Sequence, residues 1–151
     1  MAAKSSALRF GRFSTVGQVY LITTATHERK SLFADFFAAR VCISELRRCD
    51  LLGRCETLAF VLMPDHLHWL VQLSAGHLPE LVRNFKASSS RGINDMHNAA
   101  GQPRWQTGYH DRAIRDDQDL KASARYLVAN PLRAGLVARL ADYPHWDATW
   151  L

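Results

Sequence analysis

Residues 56 to 73 read ETLAFVLMPDHLHWLVQL, two apolar runs separated only by Pro64-Asp65. Each run has strand length and composition and the dipeptide between them has turn chemistry, so the segment predicts an antiparallel hairpin, 56–63 and 66–73. Strand side chains alternate, so Leu67, Trp69, Val71 and Leu73 share one face while His66, His68, Leu70 and Gln72 share the other. The first set is the natural core face beneath a layer of helices. Two imidazoles are left together on the open side.

The rest of the chain supplies that layer. Residues 16–26, VGQVYLITTAT, are β-branched and aromatic with no helix-period gap, and predict a first strand. From 33 to 51, Phe33, Phe37 and Val41 form a four-step row beside Phe36, Ile43 and Leu46, which predicts an amphipathic helix ending before Gly53. A second helix is expected over 78–97, with Pro79 in its first turn and a weak point at Ser88-Ser89-Ser90 and Gly92. Residues 104–115 have strand-like composition with a bulge expected at Gly108. Asp116 is a good N-cap for a last helix, which Asn130-Pro131 should stop. Strand, helix, strand, strand, helix, strand, helix is the order of a ferredoxin-like or RRM-like α+β sandwich, a mainly antiparallel sheet with helices on one face and the active site on the other. Residues 1–151 are read as one domain, and because this superfold hosts unrelated activities the function must come from its side chains.

Charge and cysteine usage narrow the setting. The chain has 19 Lys and Arg against 14 Asp and Glu, a net +5, which is compatible with a polyanionic partner. With 48% hydrophobic residues it can build a full core, which excludes a disordered, collagen-like or coiled-coil chain. Cys42, Cys49 and Cys55 form an odd set without a C-x-x-C pair and read as reduced packing residues. No apolar run approaches a membrane span and no secretory leader is apparent, so a cytoplasmic protein is expected.

Two constellations carry chemistry. His66 and His68 on one strand face suit two ligands of a metal ion, although an H-x-H pair also occurs as two ordinary polar residues. Tyr126 and Asn130 stand at i and i+4 on the last helix, beside the buried stripe of Leu120, Ala124, Leu127 and Val128. A tyrosine hydroxyl there is a nucleophile if a metal, a base or local positive charge activates it, and otherwise an edge aromatic.

Taken together, the two resemble the single-tyrosine, His-hydrophobic-His transposases of the insertion-sequence type. Met63-Pro64-Asp65-His66-Leu67-His68-Trp69-Leu70-Val71 is similar to the signature M-P-[ND]-H-h-H-h-h-V, where h is hydrophobic. Residues 126 to 137, YLVANPLRAGLV, resemble Y-I-x-x-N-P-x-[RK]-A-G-L-V of the REP-associated tyrosine transposases, with Leu127 in the usual Ile position. Gly17-Gln18-Val19-Tyr20, Trp105-Gln106, Gly108-Tyr109 and Asp111-Arg112 resemble further family blocks, so the likeness spans roughly residues 9 to 147. It implies an enzyme that recognises a DNA hairpin and cleaves and rejoins adjacent single-stranded DNA. Tyr126 would match the catalytic nucleophile that forms a 5′-phosphotyrosine. His66 and His68 would match the pair holding Mg²⁺ or Mn²⁺, although imidazoles also suit Zn²⁺, Ni²⁺ and Co²⁺. Asn130, at a position where insertion-sequence relatives carry Gln, is the candidate third ligand.

For the DNA itself, Arg83 and Lys86 share a side of the second helix with Ser90, and Arg104, Arg112, Arg115 and Arg133 surround the catalytic elements in sequence. These are expected to track phosphates, and Trp105 and Tyr109 to stack unpaired bases. Arg9 and Arg12, with Phe10 and Phe13, are expected at the hairpin, as the resemblance implies. A monomer or a homodimer is compatible with this reading. Two alternatives stay open: a non-catalytic nucleic-acid-binding domain on the same scaffold, and a metal-dependent phosphodiesterase using water.

Overall fold

The computed structural model describes residues 14–149, so Arg9, Phe10, Arg12 and Phe13 lie outside the described residues. The hairpin forms as expected: β2 (Cys55–Met63) and β3 (His66–Leu73) pair antiparallel, with Met63 opposite His66 and Val61 opposite His68. β1 (Val19–Ala25) pairs with the other edge of β3, placing Thr23 opposite His68. With β4 (His110–Ala113) and β5 (Trp146–Ala148), the order is β4-β1-β3-β2-β5 and every neighbour is antiparallel.

Two helices cover the face that carries Leu67, Trp69, Val71 and Leu73. α1 (Phe36–Leu51) is capped by Asp35, whose side chain accepts from the Phe37 and Ala38 N–H groups at 2.9 and 3.4 Å. It starts later than the periodicity implies. Phe33 is buried in a separate 3-10 turn, Phe36 and Phe37 are exposed, and the buried row is Ala38, Ala39, Cys42, Ile43, Leu46 and Cys49. α2 (Leu78–His97) runs unbroken through the serines and Gly92. Ser89 is buried and donates to the Phe85 carbonyl at 2.7 Å, which satisfies its hydroxyl inside the helix. A Cβ on Gly92 would lie 2.8 Å from Val41 Cγ1, so glycine there sets how closely α1 and α2 approach. The three cysteines are buried and free.

The opposite face is only partly open. α3 (Asp117–Val128), capped by Asp116 through the Asp119 N–H at 2.8 Å, lays Ala124, Leu127 and Val128 on Ala59, Val61, Met63 and Leu70. Leu70 needs that cover because it points away from α1 and α2. The tyrosine-bearing helix ends just before Asn130-Pro131 as expected, and Ala129 links it to a separate helical turn, α4 (Asn130–Arg133). Pro131 sits in the first turn, where its missing N–H costs no helical hydrogen bond.

The expected 104–115 strand is reduced to β4. Residues before it form a loop in which Trp105 makes one bridge to Thr26 and Gly108 takes φ 82°. β5 was not anticipated from the sequence: it has three residues, too few to show an alternation. Among the described residues no helix is long and apolar enough to cross a membrane.

Candidate active site

His66 and His68 project from β3 on the face covered by α3, since their cross-strand neighbours Met63 and Val61 pack in the cluster that holds Leu127 and Val128. Their rings lie 4.8 Å apart, edge to face. His66 Nδ1 is 2.8 Å from Asp65 Oδ1, and His68 Nδ1 is 3.0 Å from Thr23 Oγ1. Both Nδ1 atoms are thus engaged by neighbours, which leaves Nε2 as the nitrogen of each ring that could take a metal. Burial pulls the His68 pKa down to about 4, and the charges of His66, Arg133 and Arg29 act in the same direction. At neutral pH His68 is therefore uncharged, with a lone pair to offer.

Tyr126 stands on α3 with 63% of its surface exposed, beside the stripe that grips the sheet. Arg133 on α4 folds back over it. Its guanidinium carbon is 3.8 Å from the Tyr126 ring centroid and its Nη2 donates to the Tyr126 carbonyl at 2.7 Å. Arg133 thus sits against the tyrosine, and its charge acts on His68 in the same direction as burial. Asn130 Nδ2 donates to the Leu127 carbonyl at 3.1 Å, which leaves its carboxamide oxygen as the acceptor with ligand chemistry. Among the described residues no three His, Cys, Asp or Glu side chains gather as a metal site. A cation held by two imidazoles here must complete its shell with an amide, substrate or water oxygen. That donor set fits a divalent ion at a site open to phosphate.

Residues 15–130 match the family model described as "Transposase IS200 like". The chain belongs to the IS200-like transposase family. It is 25% identical over 138 residues to the REP-associated tyrosine transposase of Escherichia coli K12, covering 89% of this chain and 79% of that one. A Haemophilus influenzae protein provisionally given the same name is 28% identical over 152 residues, with 90% and 82% covered. Among solved structures, a REP-associated tyrosine transposase bound to a REP hairpin superposes with a TM-score of 0.68 at 22% identity, over 89% of this chain and 79% of that one. Its likeness shows the α+β fold.

Within this IS200-like transposase, Arg112 and Arg115 are exposed and both also engage Asp119 at the start of the tyrosine helix. Arg112 donates from Nη1 to both oxygens of Asp119, at 3.2 and 3.0 Å, and from Nη2 to Ser123 Oγ at 2.8 Å. The Arg115 N–H adds a bond to Asp119 Oδ2 at 3.0 Å. This cluster pins the first half of the tyrosine helix to β4. The Arg112 hydrogen bonds, then the Arg115 N–H, hold the Asp119 carboxyl well below the usual carboxylate range. A carboxyl depressed in the folded state contributes stability that is complete above its unfolded pKa of about 3.9 and is lost as pH falls from there towards the depressed value. Thermal unfolding followed across this acid window should therefore show a shallower loss of Tm for Asp119→Asn than for the native protein. Equal slopes would mean that the clamp does not hold the helix in solution.

A groove of about 470 Å³ runs between α2 and residues 103–109, lined by Arg83, Lys86, Arg104, Trp105 and Tyr109 among others. It gathers the expected DNA-binding residues but changes their roles. Trp105 and Tyr109 are only 8% and 4% exposed, so their faces are not available to bases. Trp105 packs between Phe33 and Phe85 and donates from Nε1 to Ser89 Oγ at 3.0 Å. Lys86 Nζ donates to the Gln106 and Gly108 carbonyls, fastening the loop to α2, and burial draws its pKa down to about 8. Arg104 Nε donates to Asn94 Oδ1, and its Nη2 lies 3.3 Å from His97 Nδ1. Of these cations only Arg83 is an exposed side chain in the groove. Thr23, Arg29 and Asp65 were missed as site residues. Thr23 meets His68 only through the β1–β3 register, which alternation within one strand does not fix, and nothing in the sequence marks Arg29.

Proposed function

We propose that the chain recognises a DNA hairpin and cleaves the single strand beside it, with Tyr126 as nucleophile and His66, His68 and Asn130 holding Mg²⁺ or Mn²⁺. The observation that carries this reading is that α3, which bears Tyr126, packs on the sheet face from which His66 and His68 project, with Arg133 stacked on the Tyr126 ring. This shared face supports reading the tyrosine, the histidine pair and Arg133 as one site. Family membership supports DNA cleavage, and the hairpin found with the solved relative supports this class of substrate.

In this reading Tyr126 Oη attacks the scissile phosphorus and the P–O3′ bond breaks, so the 5′ phosphate becomes esterified to the tyrosine. The phenolic proton passes to solvent and the leaving 3′-oxygen takes one up. A bound divalent ion would withdraw charge from a non-bridging oxygen and stabilise the leaving group. Arg133 holds the ring by its face and its main-chain carbonyl, leaving the hydroxyl edge free to meet the strand. The phosphotyrosine ester keeps the phosphodiester energy, so the reverse attack by a 3′-OH rejoins DNA. Arg83, Arg112, Arg115 and Arg133 are exposed side chains suited to phosphate.

Incubation with hairpin oligonucleotides carrying single-stranded flanks, in Mg²⁺ or Mn²⁺, should yield a covalent protein–DNA adduct resolved on a denaturing gel. Binding without cleavage in either metal would favour a non-catalytic domain. Cleavage without adduct would point to water as the nucleophile.

A further inference from the structure

The turn after β1 has an unusual backbone for its sequence. Glu28 and Arg29 both take φ 54°, a left-handed conformation that residues with side chains rarely adopt, let alone in succession. Buried Thr26 keeps it in place. Its N–H donates to the Asp65 carbonyl at 2.9 Å, and its hydroxyl lies 2.7 Å from the Lys30 carbonyl and 3.1 Å from that of Asp65. The strained turn carries Arg29 Nε to 3.2 Å from Asp65 Oδ2. The other carboxylate oxygen of Asp65 meets His66 Nδ1 at 2.8 Å. One loop therefore grips Asp65 by its main chain and its side chain together.

We infer that Arg29 and Asp65 are a positioning pair for His66, in which Arg29 fixes the carboxylate, the carboxylate fixes the Nδ1–H tautomer, and Nε2 is thereby presented to a divalent cation. An ordinary surface ion pair would not need two consecutive left-handed residues held by a buried threonine. Charge makes the same case. Arg29 balances Asp65, so the pair orients the imidazole without adding net negative charge where a phosphate must approach. His68 has a neutral counterpart of this arrangement in Thr23, so the two rings are aimed by different chemistry. The inference rests on the reading of His66 as a metal ligand, and its test separates the two.

The full chain is titrated with Mn²⁺ alone, free ion being read by electron paramagnetic resonance, and the His66 tautomer is read in metal-free protein from its imidazole ¹⁵N shifts. Asp65→Ala should weaken Mn²⁺ binding by about 10–100-fold and mix the tautomers. Asp65→Asn, whose side-chain oxygen still accepts from Nδ1–H, should recover most of both. Arg29→Met should weaken Mn²⁺ in the native background and add nothing to Asp65→Ala, because it acts through the carboxylate. Circular dichroism of each variant checks that the fold is retained. The pair is overturned if Asp65→Ala leaves the tautomer unchanged, or if Arg29→Met lowers DNA binding while Mn²⁺ affinity stays at the native value, which makes Arg29 a phosphate contact. If the native protein and His66→Ala bind Mn²⁺ equally poorly, the metal reading falls, and the tautomer shift still decides whether Asp65 and Arg29 position the ring.

Discussion

Tyr126→Phe is expected to remove the covalent adduct and lower cleavage by about 10³-fold or more, while hairpin binding and folding are retained. The selectivity follows from what the residue touches. Its ring is 63% exposed, and the Arg133 guanidinium 3.8 Å away stacks on a phenyl face as it does on a phenol. The second Arg133 contact is to the main-chain carbonyl, which the substitution keeps. Surface changes of this kind move stability by only about 0.5 kcal/mol. A denaturing gel for the adduct, a gel shift for the hairpin and a melting curve read the three properties separately. Cleavage that survives in Tyr126→Phe would assign the chemistry to water and leave the tyrosine a structural residue.

Trp105→Ala should act in the opposite way, on stability first. The indole is 8% exposed, lies 5.5 and 5.7 Å from the rings of Phe33 and Phe85, and gives its N–H to Ser89. Emptying such a site costs about 3–5 kcal/mol through lost burial and the cavity left behind. For a chain of this length that is a fall in Tm on the order of 10 °C. A base-stacking platform behaves differently, losing about 1–3 kcal/mol of DNA affinity with the melting point unchanged. Calorimetry and a binding isotherm on the same variant distinguish the outcomes, and an unchanged Tm would return Trp105 to the DNA surface.

What could be read from the chain beforehand depended on periodicity. The hairpin, its two faces and the shared side of His66 and His68 follow from alternation over eight residues of β3, and the structure keeps them. The Asp116 cap was equally local. Charged residues were harder. Arg112 and Asp119 are seven positions apart and in different elements, so their pairing appears only once β4 is laid beside α3. Trp105 carries strand-like composition, but its environment is set by Phe33, Phe85 and Ser89, residues distant in sequence. Arg29 was hidden for another reason: Glu28 and Arg29 turn left-handed without a glycine, because tertiary bonds to Thr26 impose it. The candidate side chains could be picked out from local pattern, and the groups that contact them could not.

β5 adds a consequence for self-association. The outer rim of β2 would otherwise offer a long row of main-chain donors and acceptors to any passing strand. Instead Ala59, Phe60 and Val61 are taken by residues 146–148, the Leu62 N–H by the His145 carbonyl, and the Leu58 carbonyl by the Thr149 N–H. The opposite rim is the four-residue β4, three of whose residues are exposed. Both margins of the sheet thus end in short strands, a protection against edge-to-edge aggregation for a molecule whose central strands are longer and rich in apolar residues.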